Sequence, residues 1–226
     1  MSHPLDRVVL SALTSARQSQ LAVRQGSALR MASSYGVFAA LEDVSAGMKD
    51  MALLPMPEDI LVTVEAENQP LPDGFIVQKQ AVLLQMTLTS LAAGRGREVA
   101  FEKLTQADAE QMLALAILTE PGPFFENTHR LGDFYGVKED GRLLAMAGER
   151  MKPDGFTEVS GVCVHPDAQG RGYAAAAMRA VIVPILERGE TVFLHSYDHN
   201  HRAISLYEGL GFSVRAPMQM RTLSSL

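Results

Sequence analysis

The chain has 226 residues, 47% of them hydrophobic and 20% charged, with a formal net charge of -6. That balance supports a buried core in one or two domains and excludes wholesale disorder. It also excludes a strongly basic nucleic-acid surface and, because Cys163 is the single cysteine, an intrachain disulfide scaffold.

Leu5 to Leu29 is predicted as a helix, from a stripe of Leu5, Val8, Val9, Leu13 and Ala16. Strand-like runs follow at 36–41 (GVFAAL), 59–66 (DILVTVEA) and 75–88 (FIVQKQAVLLQMTL), the last two joined by the turn residues QPLPDG. Alternation along 61–66 predicts a half-buried strand. No nucleophile, metal or phosphate motif occurs before residue 91. The stretch Leu91 to Glu98 (LAAGRGRE) reads as a linker, because two glycines interrupt periodic apolar sequence.

Beyond it the elements alternate. A strand is predicted at 97–105, a helix at 106–120 and a short helix after Pro121 and Pro123. A hairpin spans 133–151, turned by the Asp140-Gly141 pair. A strand at 155–166, a helix at 170–190 bearing Pro184, a strand at 191–198, a helix at 200–211 and a closing strand or pair at 212–223 complete the order. This predicts a mixed α/β sheet with helices on both faces. Charge divides unevenly, with 8 Lys+Arg against 9 Asp+Glu in residues 1–97 and 12 against 17 in 98–226.

The most informative segment is VSGVCVHPDAQGRGYAAAAMRA, where an apolar strand turns into a helix through Gly170 and Gly172. A helix's first turn presents unbonded amides at the positive end of its dipole, which suits a phosphate. Arg171 adds charge. An ordinary glycine-containing helix start explains the same residues. A P-loop is excluded because no Gly-Lys-Ser/Thr is present. Gly170, Gly172 and Ala175 match G-x-G-x-x-G/A, but five residues separate strand from glycine and few elements follow, unlike a dinucleotide fold.

Gln169-x-x-Gly172-x-Ala174 resembles the Q/R-x-x-G-x-G/A signature of the GNAT superfamily of acyl-CoA-dependent N-acyltransferases. Asn200, Ala203, Tyr207, Gly211 and Phe212 in NHRAISLYEGLGF resemble that family's downstream series. The resemblance covers roughly residues 98–223. The segments 119–137 and 145–166 further resemble the glycine N-acyltransferase-like branch. The implied organisation is an N-terminal degenerate acyltransferase-like α/β half, residues 1–94, before a GNAT acyltransferase domain, 95–226, with a GNAT-like mixed sheet.

The resemblance implies transfer of an acetyl or other acyl group from acyl-CoA to a primary amine of a small molecule or peptide, with acetyl-CoA as donor. The amides of Gly170, Arg171, Gly172, Tyr173 and Ala174, with Gln169, would hold the diphosphate. The backbone of Val162, Cys163 and Val164 would pair with the pantetheine arm like an added strand. That arm would lie in a gap between strands 156–164 and 191–197, with Asn200 and Ala203 on its other side. Tyr207 would be the general acid at sulfur; a tyrosine packed on a helix face is the alternative.

Glu158 is the preferred base, with Glu149 in reserve. Alternation puts Glu158 on the face of Ser160 and Val162, and partial burial would raise its pKa; an exposed strand glutamate is the alternative. Cys163 is expected to be a core thiol rather than a nucleophile. His195, His199 and His201 lack a helical ligand spacing, so neither a bound metal nor a metal-dependent hydrolase is expected. Acceptor walls are expected from 120–130, with Phe124 and Phe125 as core.

The alternative function is a non-catalytic acyl-CoA-binding regulatory module. No nucleic-acid or membrane partner is expected, and the assembly would be a monomer or homodimer. No apolar run reaches the ~18 residues of a membrane span. The opening MSHPLDRVVLSALTSARQSQ lacks the basic-then-apolar order of a signal peptide, so a cytoplasmic protein is expected. The acidic balance would favour a cationic amine acceptor.

Overall fold

The computed structural model describes residues 3–54, 60–94 and 99–226. The N-terminal part comprises α1 (Val8–Thr14), β1 (Ala22–Gln25), β2 (Ala28–Met31), β3 (Ala39–Leu41), α2 (Val44–Met51), β4 (Leu61–Glu65) and β5 (Phe75–Leu88). Then come β6 (Glu102–Lys103), α3 (Ala109–Thr119), β7 (Phe134–Glu139), β8 (Arg142–Glu149) and β9 (Phe156–Val164). The chain closes with α4 (Tyr173–Glu187), β10 (Thr191–Tyr197), α5 (His201–Leu210) and β11 (Phe212–Ser225).

Eight strands form one sheet in the order β4-β11-β5-β10-β9-β8-β7-β6. β5 therefore lies between β10 and β11, paired antiparallel with both. The sequence boundary near residue 94 does not divide this sheet. β1, β2 and β3 form a separate antiparallel sheet, linked to β4 by a bridge from Phe38 to Val62.

Strand alternation distributes the core over both faces. Val192 and Leu194 pack with Ala177, Val181 and Ile185 of α4. Phe193, between them, packs with Leu5, Val9 and Leu13 around α1. Met112 and Leu115 of α3 meet Met146 and Cys163. The expected mixed sheet with helices on both faces is the observed architecture.

Several local expectations change. The helix expected over 5–29 stops at Thr14, where Ser15 turns extended with ψ 156°. The chain then passes through a turn and a single 3-10 turn at Ser19–Leu21 into the β1–β2 hairpin, which reverses at Gly26 with φ 53°. Tertiary contacts fix that break: the Arg17 guanidinium donates to the Pro153 carbonyl at 2.8 Å and bonds Glu190, and Gln18 brackets Arg150 through its carbonyl and the Lys152 amide. α2 carries a signal the pattern reading missed, Asp43 as N-cap to the Ala46 amide.

β4 is buried on both faces rather than half-buried. Val62 and Val64 enter the cluster around α1, while Leu61 enters a second cluster with Leu54 and Leu223. The strand expected at 97–105 is formed only by Glu102 and Lys103; residues 97 and 98 lie outside the described residues. So do 95–98 of the expected linker. Its described part is tied down, with Ala92 bonded to the Leu210 carbonyl and Arg179 bonded to the Ala92 carbonyl. Asp140 (φ 51°) and Gly141 (φ 78°) turn the β7–β8 hairpin as expected. The closing element is one strand, not a pair.

Candidate active site

β9 and β10 pair in parallel only as far as Glu158 and Phe193. Both strands continue, to Val164 and Tyr197, without pairing to each other. A cleft of about 970 Å³ opens at this parting. Val162, Val164, Gln169, Gly170, Gly172, Tyr173 and Ala174 line one side, and Asn200, Ala203 and Tyr207 the other.

At the head of α4, Gly170 and Gly172 hold φ of 78° and 80°, and a Cβ added at either would meet open space. Glycine is needed there for the left-handed backbone. The first i→i−4 bond of the helix runs from the Ala176 amide to the Gly172 carbonyl. The amides of Tyr173, Ala174 and Ala175 precede it and point past the helix end, an arrangement suited to an anion. Arg171 lies outside the cleft lining; its guanidinium is 3.0 Å from Glu139, which also accepts from Tyr173 at 2.6 Å. The charge expected from Arg171 is therefore already paired. Arg202, which the motif reading passed over, lines the opposite wall.

Of the three strand residues expected to meet an extended ligand, Val162 and Val164 line the cleft and Cys163 does not. The His165 amide bonds the Leu144 carbonyl. By the alternation of an antiparallel ladder, Cys163 also turns its backbone groups to β8, leaving those of Val162 and Val164 for the cleft. The Cys163 thiol is buried beside α3, and that burial pushes its pKa up to about 11. It is a core residue, as expected.

Asn200 accepts from the Ala203 amide at 3.2 Å and so caps α5 at the cleft wall. Gly211 ends α5 with φ 103°, and a Cβ on it would lie 1.9 Å from the Ser90 carbonyl oxygen. That close approach, with Thr89 bonded to the Gly211 carbonyl, explains the Gly-Phe pair structurally. Tyr207 lies on α5 against Phe212, with ring centroids 6.3 Å apart. Among the described residues no hydrogen bond engages its hydroxyl. Burial raises its pKa, so it stays a proton donor through neutral pH.

Glu158 departs from expectation. It is fully buried and accepts from Arg150 Nε at 2.8 Å, Arg150 Nη2 at 2.7 Å, the Met151 amide at 3.3 Å and His195 Nδ1 at 2.7 Å. Four donors fill the acceptor sites of a carboxylate. Burial pushes its pKa up, but the Arg150 charge and hydrogen bonds, with His195, outweigh this and bring it from 4.5 down to about 2. A saturated carboxylate of that acidity is not a general base. The face argument also fails, because of a bulge at Gly161 (φ 61°), opposite the register shift in β8. Val159 and Val162 consequently share the α4 face despite their odd spacing. Glu149 is buried, held by Lys152 at 2.5 Å and Arg188 at 2.7 Å, and does not line the cleft.

The register sets a polar row across the sheet: His195 stands opposite Gln85, and Glu158 opposite Phe193. Gln85 Oε1 accepts from Arg215, which also bonds Asp6. Gln85 Nε2 therefore donates, to the Leu5 carbonyl and to His195 Nε2, each at 3.0 Å. His195 is thus protonated at Nδ1 and its Nε2 lone pair is occupied. His199 stacks on Tyr197 and bonds Asp198. Among the described residues no group of three or more His, Cys, Asp or Glu is arranged to hold a metal.

A second space of about 210 Å³ adjoins the cleft and shares Lys79, Arg150, His195, Tyr197, Asn200 and Tyr207 with it. Pro121, Gly122 and Pro123, from the 120–130 segment, form part of it. Phe124 instead packs against Phe134, and Phe125 against the α1 core. Phe38, Val62, Val64, Lys79 and Leu83 come from the N-terminal part, which carried no motif.

The family described as FR47-like protein matches residues 134–221. A crystal structure assigned to the GNAT family of acetyltransferases, from Novosphingobium aromaticivorans, is 43% identical, covers 100% of both chains and superposes with a TM-score of 0.91. A GCN5-related N-acetyltransferase from Kribbella flavida superposes with a TM-score of 0.61 over 98% of this chain and 94% of its own, at 19% identity, a likeness of fold. A mycothiol acetyltransferase from Thermomonospora curvata is 35% identical over 78 residues. That match spans 34% of this chain and only 26% of the relative. Among the described residues no helix is long and apolar enough to cross a membrane.

Proposed function

The chain belongs to the GNAT family of acetyltransferases, and from that premise we propose that it transfers an acetyl group from acetyl-CoA to a primary amine of a small molecule by direct attack in a ternary complex. The observation that carries this is the parting of β9 and β10, which joins the amides heading α4 to the Tyr207 hydroxyl in one cleft.

The diphosphate lies against the amides from Gly170 to Ala174, with Gln169 beside them and Arg202 as a cation across the cleft. Backbone groups of Val162 and Val164 pair with the pantetheine amides, and Asn200 and Ala203 wall the other side. The amine attacks the thioester carbonyl, the C–N bond forms and the C–S bond breaks. Tyr207 gives its proton to the departing thiolate. The amine's proton leaves to water in the open cleft, because neither Glu158 nor His195 has a free lone pair. Glu158 acts by position, holding Arg150 and His195 at the cleft wall.

We place the chain further in the glycine N-acyltransferase-like branch, with residues 1–94 as a degenerate acyltransferase-like half and 95–226 as the working domain. The segments 119–137 and 145–166 support this reading. The two parts share one sheet, so a fragment 95–226 leaves β10 and β11 without the strand between them. A cytoplasmic setting accords with this donor.

The second reading, a non-catalytic acyl-CoA-binding module, draws on the saturated Glu158. Calorimetry with acetyl-CoA, followed by thiol release across a panel of amines, separates the two. Turnover that falls roughly 100-fold or more in Tyr207→Phe with acetyl-CoA binding retained supports transfer. Binding without turnover for every amine supports the module.

A further inference from the structure

We propose that a cavity on the far face of the β4–β11 ladder binds a chloride-sized monovalent anion, held by Arg221, Thr63 and Gln69. In that ladder Arg221 stands opposite Thr63, and Gln219 opposite Glu65. Successive side chains point to opposite faces. Val62, Val64, Met220 and Thr222 line the space beside the cleft, while Thr63, Glu65, Arg221 and Leu223 line this cavity. Its volume is about 20 Å³, and ~10–15 Å³ suffices for one water-sized particle. It fits a single small ion and excludes an organic ligand.

Arg7, Arg221 and Glu65 are the charged residues of its wall. Arg7 donates Nε to Glu65 at 3.1 Å and its other nitrogens to the Leu41 and Glu42 carbonyls. Those two charges cancel, and Arg221 is the surplus. It is 9% exposed, and among the described residues its one hydrogen bond runs to the Pro70 carbonyl at 3.4 Å. Burial lowers its pKa, and Glu65 opposes this through space without an ion pair. A guanidinium has five N–H donors and stays protonated inside a protein, so most of its donors are unused. The Thr63 hydroxyl and the Gln69 amide belong to the same wall, and neither has a hydrogen-bond partner among the described residues.

Water in this cavity would satisfy some of these donors but leave the charge of Arg221 without a counter-ion, and an uncompensated buried charge is costly. An anion accepts from guanidinium, hydroxyl and amide together, and the charge-assisted bonds are the stronger kind. The wall carries one net positive charge, so one monovalent ion brings it to neutrality. Glu65 is turned to Arg7, and its negative charge beside the cavity weighs against a divalent ion. The bound ion joins β11 through Arg221 to β4 through Thr63, and both to the β4–β5 connection through Gln69. The site stands on its own residues and does not depend on acetyl transfer.

The test follows urea unfolding of the full chain as gluconate, too large for the cavity, is exchanged for chloride at a constant ~0.15 M ionic strength. An ion that binds only the folded chain stabilises it by mass action. The response is read as wild type minus Arg221→Met, which cancels general salt effects. On that measure the folded-to-unfolded ratio is expected to rise about tenfold, the value for chloride at about ten times its Kd. Arg221→Met removes the charge and fills its place with an apolar side chain, so it is expected to be at least as stable as the wild type in gluconate. Arg221→Lys and Thr63→Val are expected to keep only part of the wild-type response. Chloride NMR is expected to show line broadening by the wild type and none by Arg221→Met. Equal chloride responses in wild type and Arg221→Met, or no broadening by the wild type, overturn the assignment. If Arg221→Met does not fold, Thr63→Val decides: a full chloride response overturns the site, and a reduced one supports it.

Discussion

Replacing Glu158 by Gln removes the carboxylate that pairs with Arg150 inside the sheet. Glu158 has no exposed surface, and its carboxyl titrates at about 2 instead of 4.5. That difference corresponds to roughly 3 kcal/mol of native stability, similar to the 3–5 kcal/mol typical of breaking a buried pair. The pKa is lowered on folding, so the stabilisation is complete above about pH 4.5 and disappears as pH falls toward 2. Urea unfolding of wild type and Glu158→Gln should differ by roughly 3 kcal/mol at pH 7, and by about half that at pH 3. Groups common to both proteins cancel in the difference. Equal midpoints at pH 7, or a difference that stays constant down to pH 3, would refute the ion-pair account and reopen Glu158 as a base.

Gly172→Ala forces a left-handed backbone on a residue with a Cβ, costing roughly 1–2 kcal/mol, and puts a methyl before the α4 amides. Weaker acetyl-CoA binding by calorimetry is expected, and unchanged affinity would argue against the phosphate site. In Gly211→Ala the new Cβ would sit 1.9 Å from the Ser90 carbonyl oxygen, so the urea midpoint should fall by an amount equivalent to roughly 2–3 kcal/mol. Cys163, buried and with its pKa raised to about 11, should resist a thiol reagent at pH 8 in the native protein and react fully in urea; rapid native labelling would contradict its place in the core.

Much of the fold was readable because its signals are local. Asp140-Gly141 requires a tight turn wherever it falls. Gly170 and Gly172 require a left-handed start to α4, and Asn200 and Gly211 mark the ends of α5. Those constraints act within a few residues, so the sequence by itself determined the strand and helix order from residue 133 onward and several residues that line the cleft, Gly170, Gly172, Asn200 and Tyr207 among them.

Contacts between distant segments decided the rest. Helical periodicity through Ala16 could not show that Arg17 and Gln18 would leave the helix to bind the 150–157 and 190 region. Strand alternation placed Glu158 with Val162 until the bulge at Gly161 inverted the pattern. Whether burial raises or lowers a carboxylate depends on its neighbours, and Arg150, His195 and the Met151 amide are gathered by sheet register. The pocket wall from Phe38, Val62 and Lys79 had no motif to announce it. It exists because β5, with Lys79, is inserted between β10 and β11, and β4, with Val62 bridged to Phe38, pairs with β11; only the tertiary structure could select these pairings of segments more than 100 residues apart.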